Sequence, residues 1–167
     1  FPLPESQLDR FLMRVALGYP DHAHEAEILS QGPSPARANK LPAVSTPEEV
    51  NASIQATGAV RVDPAVDGYL LALVRETRQS PFVELGVSPR GALALRRAAQ
   101  AWARLHGRDF IIPDDVKALA GPVLAHRLVL AGGGSLPAAR HGGQGAGAEL
   151  TAMKIIEDIL AQVPVPR

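Results

Sequence analysis

Two arginines stand apart from the other charged residues of this sequence. Arg90 follows Ser88 and Pro89, a pair that predicts the N-cap and first position of a helix. A cation in the first turn opposes the positive end of the helix dipole, at a cost of about 0.3–1 kcal/mol. A bound phosphate would reverse that sign, because backbone N–H groups and the guanidinium would converge on one anion. The simpler alternative is that Arg90 faces water or pairs with Glu84.

Arg10 is the second, in the segment Leu8-Asp9-Arg10-Phe11, between neighbours whose pattern predicts burial. The local alternative to a functional role is a surface ion pair with Asp9 or Glu5, which would contribute little to stability.

Other motifs that carry chemistry are absent from the sequence. A phosphate-binding loop needs a lysine followed by Ser or Thr, and none of the three lysines (Lys40, Lys117 and Lys154) meets that condition. The glycine cluster at 142–147 lacks a preceding strand and a lysine at the required place, so it predicts a linker. The chain alone is therefore not expected to hydrolyse ATP.

The histidines and serines do not form a recognisable site. His22 and His24 fall on different faces of a helix start, and no zinc-binding H-E-x-x-H motif occurs. His106 and His126 are predicted to close helices, where a cation favours the helix dipole. No serine lies in a G-x-S-x-G turn. No metal site is predicted.

The elements that must position the two arginines are predicted to be helices. Helix starts are indicated at Asp21, Thr46-Pro47, Asp63-Pro64, Ser88-Pro89 and Pro113, with further helices over 5–13 and 148–162. Short strands are predicted at 13–17 and 60–62. The helix from Ser88 carries an apolar stripe of Leu95, Ala98, Ala99, Trp102 and Leu105. We therefore expect a mainly α fold, a helical bundle with one or two very short strand pairs.

Composition agrees with helix packing in an intracellular protein. Apolar residues make up 46% of 167, but only one Trp, two Tyr and four Phe are present. Lys plus Arg equals Asp plus Glu at 17 each, which argues against nucleic acid or membrane as a partner. Cysteine is absent, which excludes disulfides. The missing initiator Met predicts an excised segment.

Several blocks of the sequence, in order along nearly the whole chain, resemble MoxR-type AAA+ ATPases. The residues at 4–14 resemble the segment that follows the sensor 1 motif in that family, and those at 86–91 resemble its sensor 2 motif. The blocks are PESQLDRFLMR (4–14), GYP (18–20), GVSPRG (86–91), GRDFIIPDDV (107–116), VLAHRL (123–128) and VPVP (163–166).

This resemblance implies that the chain is the C-terminal lid of such an ATPase, without its nucleotide-binding core. Residues 1–17 would be the end of the core, with the finger segment and a short strand. Residues 18–131 would form the helical lid, 132–147 a flexible glycine-rich loop, and 148–167 a C-terminal helix that packs on the lid. The Walker A, Walker B and sensor 1 motifs would lie before Phe1.

The resemblance also implies roles for single residues. Arg90, with Ser88 and Pro89 around it at the helix start, would be the sensor 2 residue that contacts the γ-phosphate of ATP. Arg10 would be the finger that reaches into a neighbouring subunit's site, where such a group can supply about 10³–10⁵ in rate. Arg14 competes for this role, since it also lies near the junction of core and lid.

For the full-length protein, the resemblance implies ATP and Mg²⁺ as cofactors, although none is expected for this chain alone. It further implies a hexameric ring in the cytoplasm, with chaperone-like action on a partner protein. A von Willebrand factor A-domain protein is one such partner.

Two other classes of protein stay open at this level. A stand-alone helical adaptor module would explain the missing phosphate loop. A DNA-binding helical domain would use the cluster of Arg96, Arg97 and Arg104, but the neutral balance and the lack of an Arg/Lys-rich recognition helix count against it.

Overall fold

The computed structural model describes residues 3–32, 41–131 and 145–166, with side chains of the last helix described from residue 152. A three-residue 3₁₀ helix, Ala125–Arg127, lies between the helix that ends at Leu124 and the short strand Val129–Leu130. The helices are α1 (Glu5–Leu8), α2 (His22–Gln31), α3 (Pro47–Gly58), α4 (Pro64–Gln79), α5 (Pro89–Leu105), α6 (Pro113–Leu124) and α7 (Gly145–Gln162), and the strands are β1 (Val83–Leu85) and β2 (Val129–Leu130).

The chain divides into two compact units. The main unit comprises residues 1–14 and 56–167, and the small unit comprises residues 15–55. In the small unit, neither α2 nor α3 buries a residue, and Leu17, Leu29 and Val44 are 98%, 85% and 97% exposed. The described residues of the small unit (15–32 and 41–55) therefore form no hydrophobic core of their own.

The main unit is a helical bundle in which α5 packs on α6, α4 contacts α5, α6 and α7, and α7 also contacts α6. Its core includes the fully buried Leu73, Leu95, Val116 and Val123. Gly121 lets α7 approach α6 closely, because a Cβ there would lie 2.6 Å from the Met153 methyl carbon. The mainly α fold predicted from the sequence is confirmed.

Helix starts predicted from capping residues are confirmed. The carboxylates of Asp21 and Asp63 accept hydrogen bonds from the N–H groups of His24 and Ala65, at 2.9 and 2.8 Å. At α3, Thr46 and Glu49 form a reciprocal capping box, with distances of 3.2 and 2.8 Å.

The strands differ from the prediction. β1 and β2 pair antiparallel, with Val83 opposite Leu130. The strand predicted at 60–62 is a single parallel bridge between Arg61 and Phe110. The strand predicted at 13–17 does not form, because a strand needs a neighbour to bond and none is described beside it. The Arg14 N–H instead donates to the Pro122 carbonyl at 2.9 Å.

Three helix predictions need correction. α1 ends at Leu8 rather than Met13. In α5 the inward stripe continues through Ala103, which is fully buried, whereas Trp102 and Leu105 are 38% and 81% exposed. At about 100° per residue, position 102 lies about 20° around the helix from 95 and position 103 about 80° from it, so the helical period alone does not account for the exposure of Trp102. α7 begins at Gly145, inside the loop predicted over 132–147, and residues 132–144 lie outside the described part.

Candidate nucleotide-sensing site

The site is built around the start of α5. Ser88 is the N-cap, its hydroxyl accepting from the Gly91 N–H at 3.2 Å, and Pro89 occupies the first helical position. The first turn contains no acidic residue. Arg90 is exposed, and its side chain makes no hydrogen bond or ion pair with any residue that the structure describes. The pairing of Arg90 with Glu84 is thus not found, and the Arg90 side chain is exposed.

The loop before α5 is held rigidly against the end of α4. The Val87 N–H donates to the Thr77 hydroxyl at 3.0 Å, and the Val87 carbonyl accepts from Arg78 Nε at 2.8 Å. A Cβ on Gly86 would lie 2.7–2.8 Å from Arg78 atoms, two of them backbone, so only glycine fits this approach. The position of Arg90 therefore depends on α4 as well as on its own helix.

Asp9 joins the start of α5 to the segment that contains Arg10. The Ser88 hydroxyl donates to the Asp9 carboxylate, at 2.9 Å from Oδ1 and 3.0 Å from Oδ2. The same carboxylate accepts from Arg127 Nε at 3.2 Å. Arg10 follows Asp9 directly and is exposed, without a side-chain partner in the described part of the chain. The predicted surface pair of Arg10 with Asp9 or Glu5 is not formed, since Asp9 is engaged elsewhere.

Arg127 lies beneath this junction with its side chain 2% exposed. Its guanidinium donates to the carbonyls of Asp9 and Leu12, each at 3.3 Å, and to those of Phe11 and Val123. Burial lowers the pKa of Arg127, the Asp9 carboxylate opposes that effect, and the charge of Arg90 adds to it. The positive charges of Arg90 and Arg127 therefore repel each other at the start of α5.

His126 does not act as the helix-closing cation that the sequence predicted. Its ring is buried, and Arg127 Nη1 lies 2.8 Å from Nε2. Burial and the Arg127 charge lower the pKa of His126. The imidazole is therefore neutral near pH 7 and belongs to the core rather than to a site.

A pocket of about 540 Å³ opens beside the start of α5. Glu5, Asp9 and Glu84 line it together with Arg78 and Arg127. Both of these arginines already donate to protein acceptors, and the carboxylates repel anions. A phosphate therefore fits the outward side of the helix start, at Arg90, better than the interior of this pocket.

Sequence reasoning missed Asp9 and Arg127 as members of the site. The sequence indicates Asp9 only as a local partner of Arg10, and Arg127 only as part of the VLAHRL block at 123–128. An arginine between the apolar Leu124 and Leu128 is a signal of burial, which requires an acidic partner. The partner is 118 residues away in sequence, so it could not be identified by spacing.

The described residues contain no group of three or more His, Asp or Glu side chains that could hold a metal ion. No helix in the described ranges is long and apolar enough to cross a membrane.

On α5, Arg97 and Arg104 are exposed, while Arg96 pairs with Asp67 at 2.9 Å. Arg96 is thus not available to the basic cluster that a DNA-binding role would use.

Comparison with known proteins places this geometry in a family. The model of the AAA lid domain matches residues 75–154, from α4 into α7. The chain is 40% identical over 166 residues to the YeaC protein of Bacillus subtilis, covering 99% of this chain and 48% of that protein. It is 36% identical over 140 residues to the chaperone MoxR1 of Mycobacterium tuberculosis, covering 78% of this chain and 36% of that protein.

A solved structure of a candidate ATPase from Cytophaga hutchinsonii matches with a TM-score of 0.78 and 26% identity, over 100% of this chain and 50% of that one. The chain thus spans about half the length of the first of these relatives, and less of MoxR1. Together with the helical bundle and the Ser88-Pro89-Arg90 start of α5, these matches show that the chain belongs to the MoxR-type AAA+ family and carries its lid domain.

Proposed function

We propose that this chain is the nucleotide-sensing lid of an ATPase that couples ATP turnover to chaperone-like remodelling of a partner protein. The observation that carries the proposal is Arg90, a guanidinium in the first turn of α5 that has no partner among the residues the structure describes and no acid beside it in that turn. Such a cation is unfavourable beside the helix dipole and becomes favourable when an anion binds. The γ-phosphate of ATP is that anion, and Arg90 senses its presence.

Arg10 is proposed as the finger that acts on a neighbouring subunit's nucleotide. Its side chain is exposed and has no partner in the described residues, while the backbone around it is fixed by Arg127. An exposed charge on a fixed backbone suits a role in a neighbour's site, because positioning is needed before the subunits meet. Arg14, also exposed, remains the competing candidate.

The wider context is part of the same proposal. The full-length protein supplies the core that binds ATP and Mg²⁺, assembles as a ring in the cytoplasm, and works with a partner such as a von Willebrand factor A-domain protein. This chain by itself contributes the lid and does not hydrolyse ATP. Calorimetry of the isolated chain with ATP and Mg²⁺ should then give no binding tighter than millimolar; micromolar binding would contradict the proposal.

The decisive experiment compares ATPase rates of the full-length protein with those of Arg90→Ala and Arg10→Ala. Each change should lower turnover at least about tenfold, which corresponds to about 1.4 kcal/mol of barrier. Arg97→Ala is the matched control, an exposed arginine on the same helix as Arg90, and should leave turnover unchanged. Wild-type turnover in both test variants would overturn the assignments.

Mixed oligomers separate the two roles. Subunits carrying Arg10→Ala keep an intact nucleotide site, so subunits disabled only in their own core should rescue them by supplying Arg10 from outside. Subunits carrying Arg90→Ala should not be rescued, because their own lid is defective. Equal rescue of both variants, or of neither, would contradict a finger acting between subunits.

An adaptor role is the second candidate, and the small unit carries the observation that favours it. Its exposed Leu17, Leu29 and Val44 form no core in the described structure. This role predicts that the isolated chain retains partner binding without the core, and that Leu29→Ser weakens it. Partner binding that requires the core and ATP would exclude it.

A further inference from the structure

Arg127 places a buried positive charge between the segment that contains Arg10 and the start of α5, and packing of the core does not require a charge there. Arg127 has a side chain that is 2% exposed. Burying a guanidinium is costly unless its donors are satisfied, and an apolar side chain of similar volume often stabilises such a position equally well.

Three of the hydrogen bonds of Arg127 are with backbone carbonyls on either side of Arg10. α1 ends at Leu8, and the next residues form no regular element. Arg127 donates to the Asp9 and Leu12 carbonyls at 3.3 Å each, and to the Phe11 carbonyl. One planar guanidinium thus holds carbonyls before and after Arg10, which a lysine ammonium could not do in the same geometry.

The same side chain also touches the first turn of α5. Arg127 Nε donates to Asp9 Oδ1 at 3.2 Å, and that carboxylate accepts from the N-cap Ser88. A Cβ on Gly91 would lie 2.8 Å from Arg127 Cδ. The stem of Arg127 therefore passes directly against the residue that follows Arg90, with no room for a larger one.

We infer that Arg127 is a positioning residue that fixes Arg10 relative to Arg90, through the Asp9 carboxylate and the Ser88 cap. This inference rests on the proposed function, since it assigns Arg127 a part in the reaction only if Arg10 is the finger. If the inference holds, replacing Arg127 lowers turnover only because Arg10 is misplaced, so the replacement has no further effect once Arg10 is removed.

The test is a double-mutant cycle on turnover in the full-length protein, with Arg10→Ala, Arg127→Met and the two combined. Arg127→Met should lower kcat about tenfold, because small misplacement of a reacting group is costly. The double variant should be no slower than Arg10→Ala alone, because residues that act as a unit are not additive. The KM for ATP should change little, since the wild-type Arg90 remains at the start of α5.

Structural damage is controlled in three ways. Arg104→Met removes an exposed arginine from α5 and should leave kcat unchanged. Thermal unfolding of each variant reports loss of fold. If Arg127→Met does not fold, Arg127→Lys and Asp9→Asn enter the same cycle, and each should again add no loss to Arg10→Ala.

The outcomes separate the inference from the proposed function. If Arg10→Ala itself keeps wild-type turnover, the finger assignment fails. If Arg10→Ala is slow while Arg127→Met turns over normally, the finger stands and the inference is wrong. If the double variant shows the product of the two single losses, Arg127 acts independently of Arg10 and the inference is also wrong.

Discussion

The helices α5 and α6 begin with the same residue type but differ in the charge of their first turns. Both helices have Pro at the first position. α6 continues with Asp114 and Asp115, whereas the first turn of α5 contains Arg90 and no acid. Asp115 accepts from the Ile112 N–H at 2.9 Å and from Arg108 at 2.7 and 2.5 Å. The start of α6 is therefore neutralised from within the chain.

The start of α5 is left open on its outer side. Ser88 caps it, but the charge of Arg90 is not compensated by any residue that the structure describes. A helix N-terminus favours negative charge. The first turn of α6 has its own acid, whereas the Asp9 carboxylate near the start of α5 is bonded to Ser88 and Arg127 and does not pair with Arg90. Under the proposed function, α6 anchors the lid while Arg90 at the start of α5 binds an anion from outside.

The largest expected effect comes from reversing the charge at α5. Arg90→Glu in the full-length protein should lower ATP turnover about 100-fold, because a carboxylate would repel the phosphate that Arg90 is proposed to bind. Steady-state ATPase rates measure this. The matched control is Arg97→Glu on the exposed face of the same helix, and an equal loss there would mean that only the net charge of the helix matters.

Removing the built-in anion of α6 should affect stability and not turnover. Asp115→Asn in the isolated chain should lower the free energy of unfolding by about 1–3 kcal/mol, because Arg108 loses a charged acceptor at a largely buried carboxylate. Urea denaturation at pH 7 measures it. Asp114→Asn changes the exposed neighbour, which pairs only with Lys117, and should stay within about 0.5 kcal/mol of wild type; a cost equal to that of Asp115→Asn would contradict the comparison.

The same carboxylate predicts a pH dependence. Burial works to raise the pKa of Asp115, but hydrogen bonds from Arg108 and the Ile112 N–H outweigh it and hold the pKa below its ordinary value. A depressed pKa contributes stability above the unfolded value, near 4, that is lost as the pH falls through the folded one. The stability gap between wild type and Asp115→Asn should therefore narrow below about pH 4. A gap that stays constant from pH 7 to pH 3 would contradict this.

The smallest expected effect is on the free energy of unfolding, which should change in opposite directions when an arginine is removed from the first turn or from the last turn of α5. Arg90→Ala should raise the free energy of unfolding of the isolated chain by about 0.3–1 kcal/mol, because it removes a cation from the positive end of the helix dipole. Arg104→Ala, in the last turn of the same helix, should lower it by a similar amount. Urea denaturation at low salt measures both, and shifts of the same sign would show that the dipole does not decide them.

Local patterns predicted most of the helices because caps act within four residues. Thr46 with Glu49, Asp63 before Pro64, and Ser88 before Pro89 each lie where the structure places a helix start. The prediction was wrong where the outcome depends on distant neighbours. The strand expected at 13–17 lacked a partner, and the helical period did not distinguish the 38% exposed Trp102 from the fully buried Ala103.

The sequence by itself determined that an arginine stands in the first turn of a capped helix and that this chain has no phosphate-binding loop. Both facts are local, since they depend on residue type and short spacing. Only the tertiary structure decided that Arg90 has no acidic partner in the described residues, and that Asp9 and Arg127 meet beneath it. A buried guanidinium must find acceptors wherever the fold brings them, and here they come from the opposite end of the chain, 118 residues away.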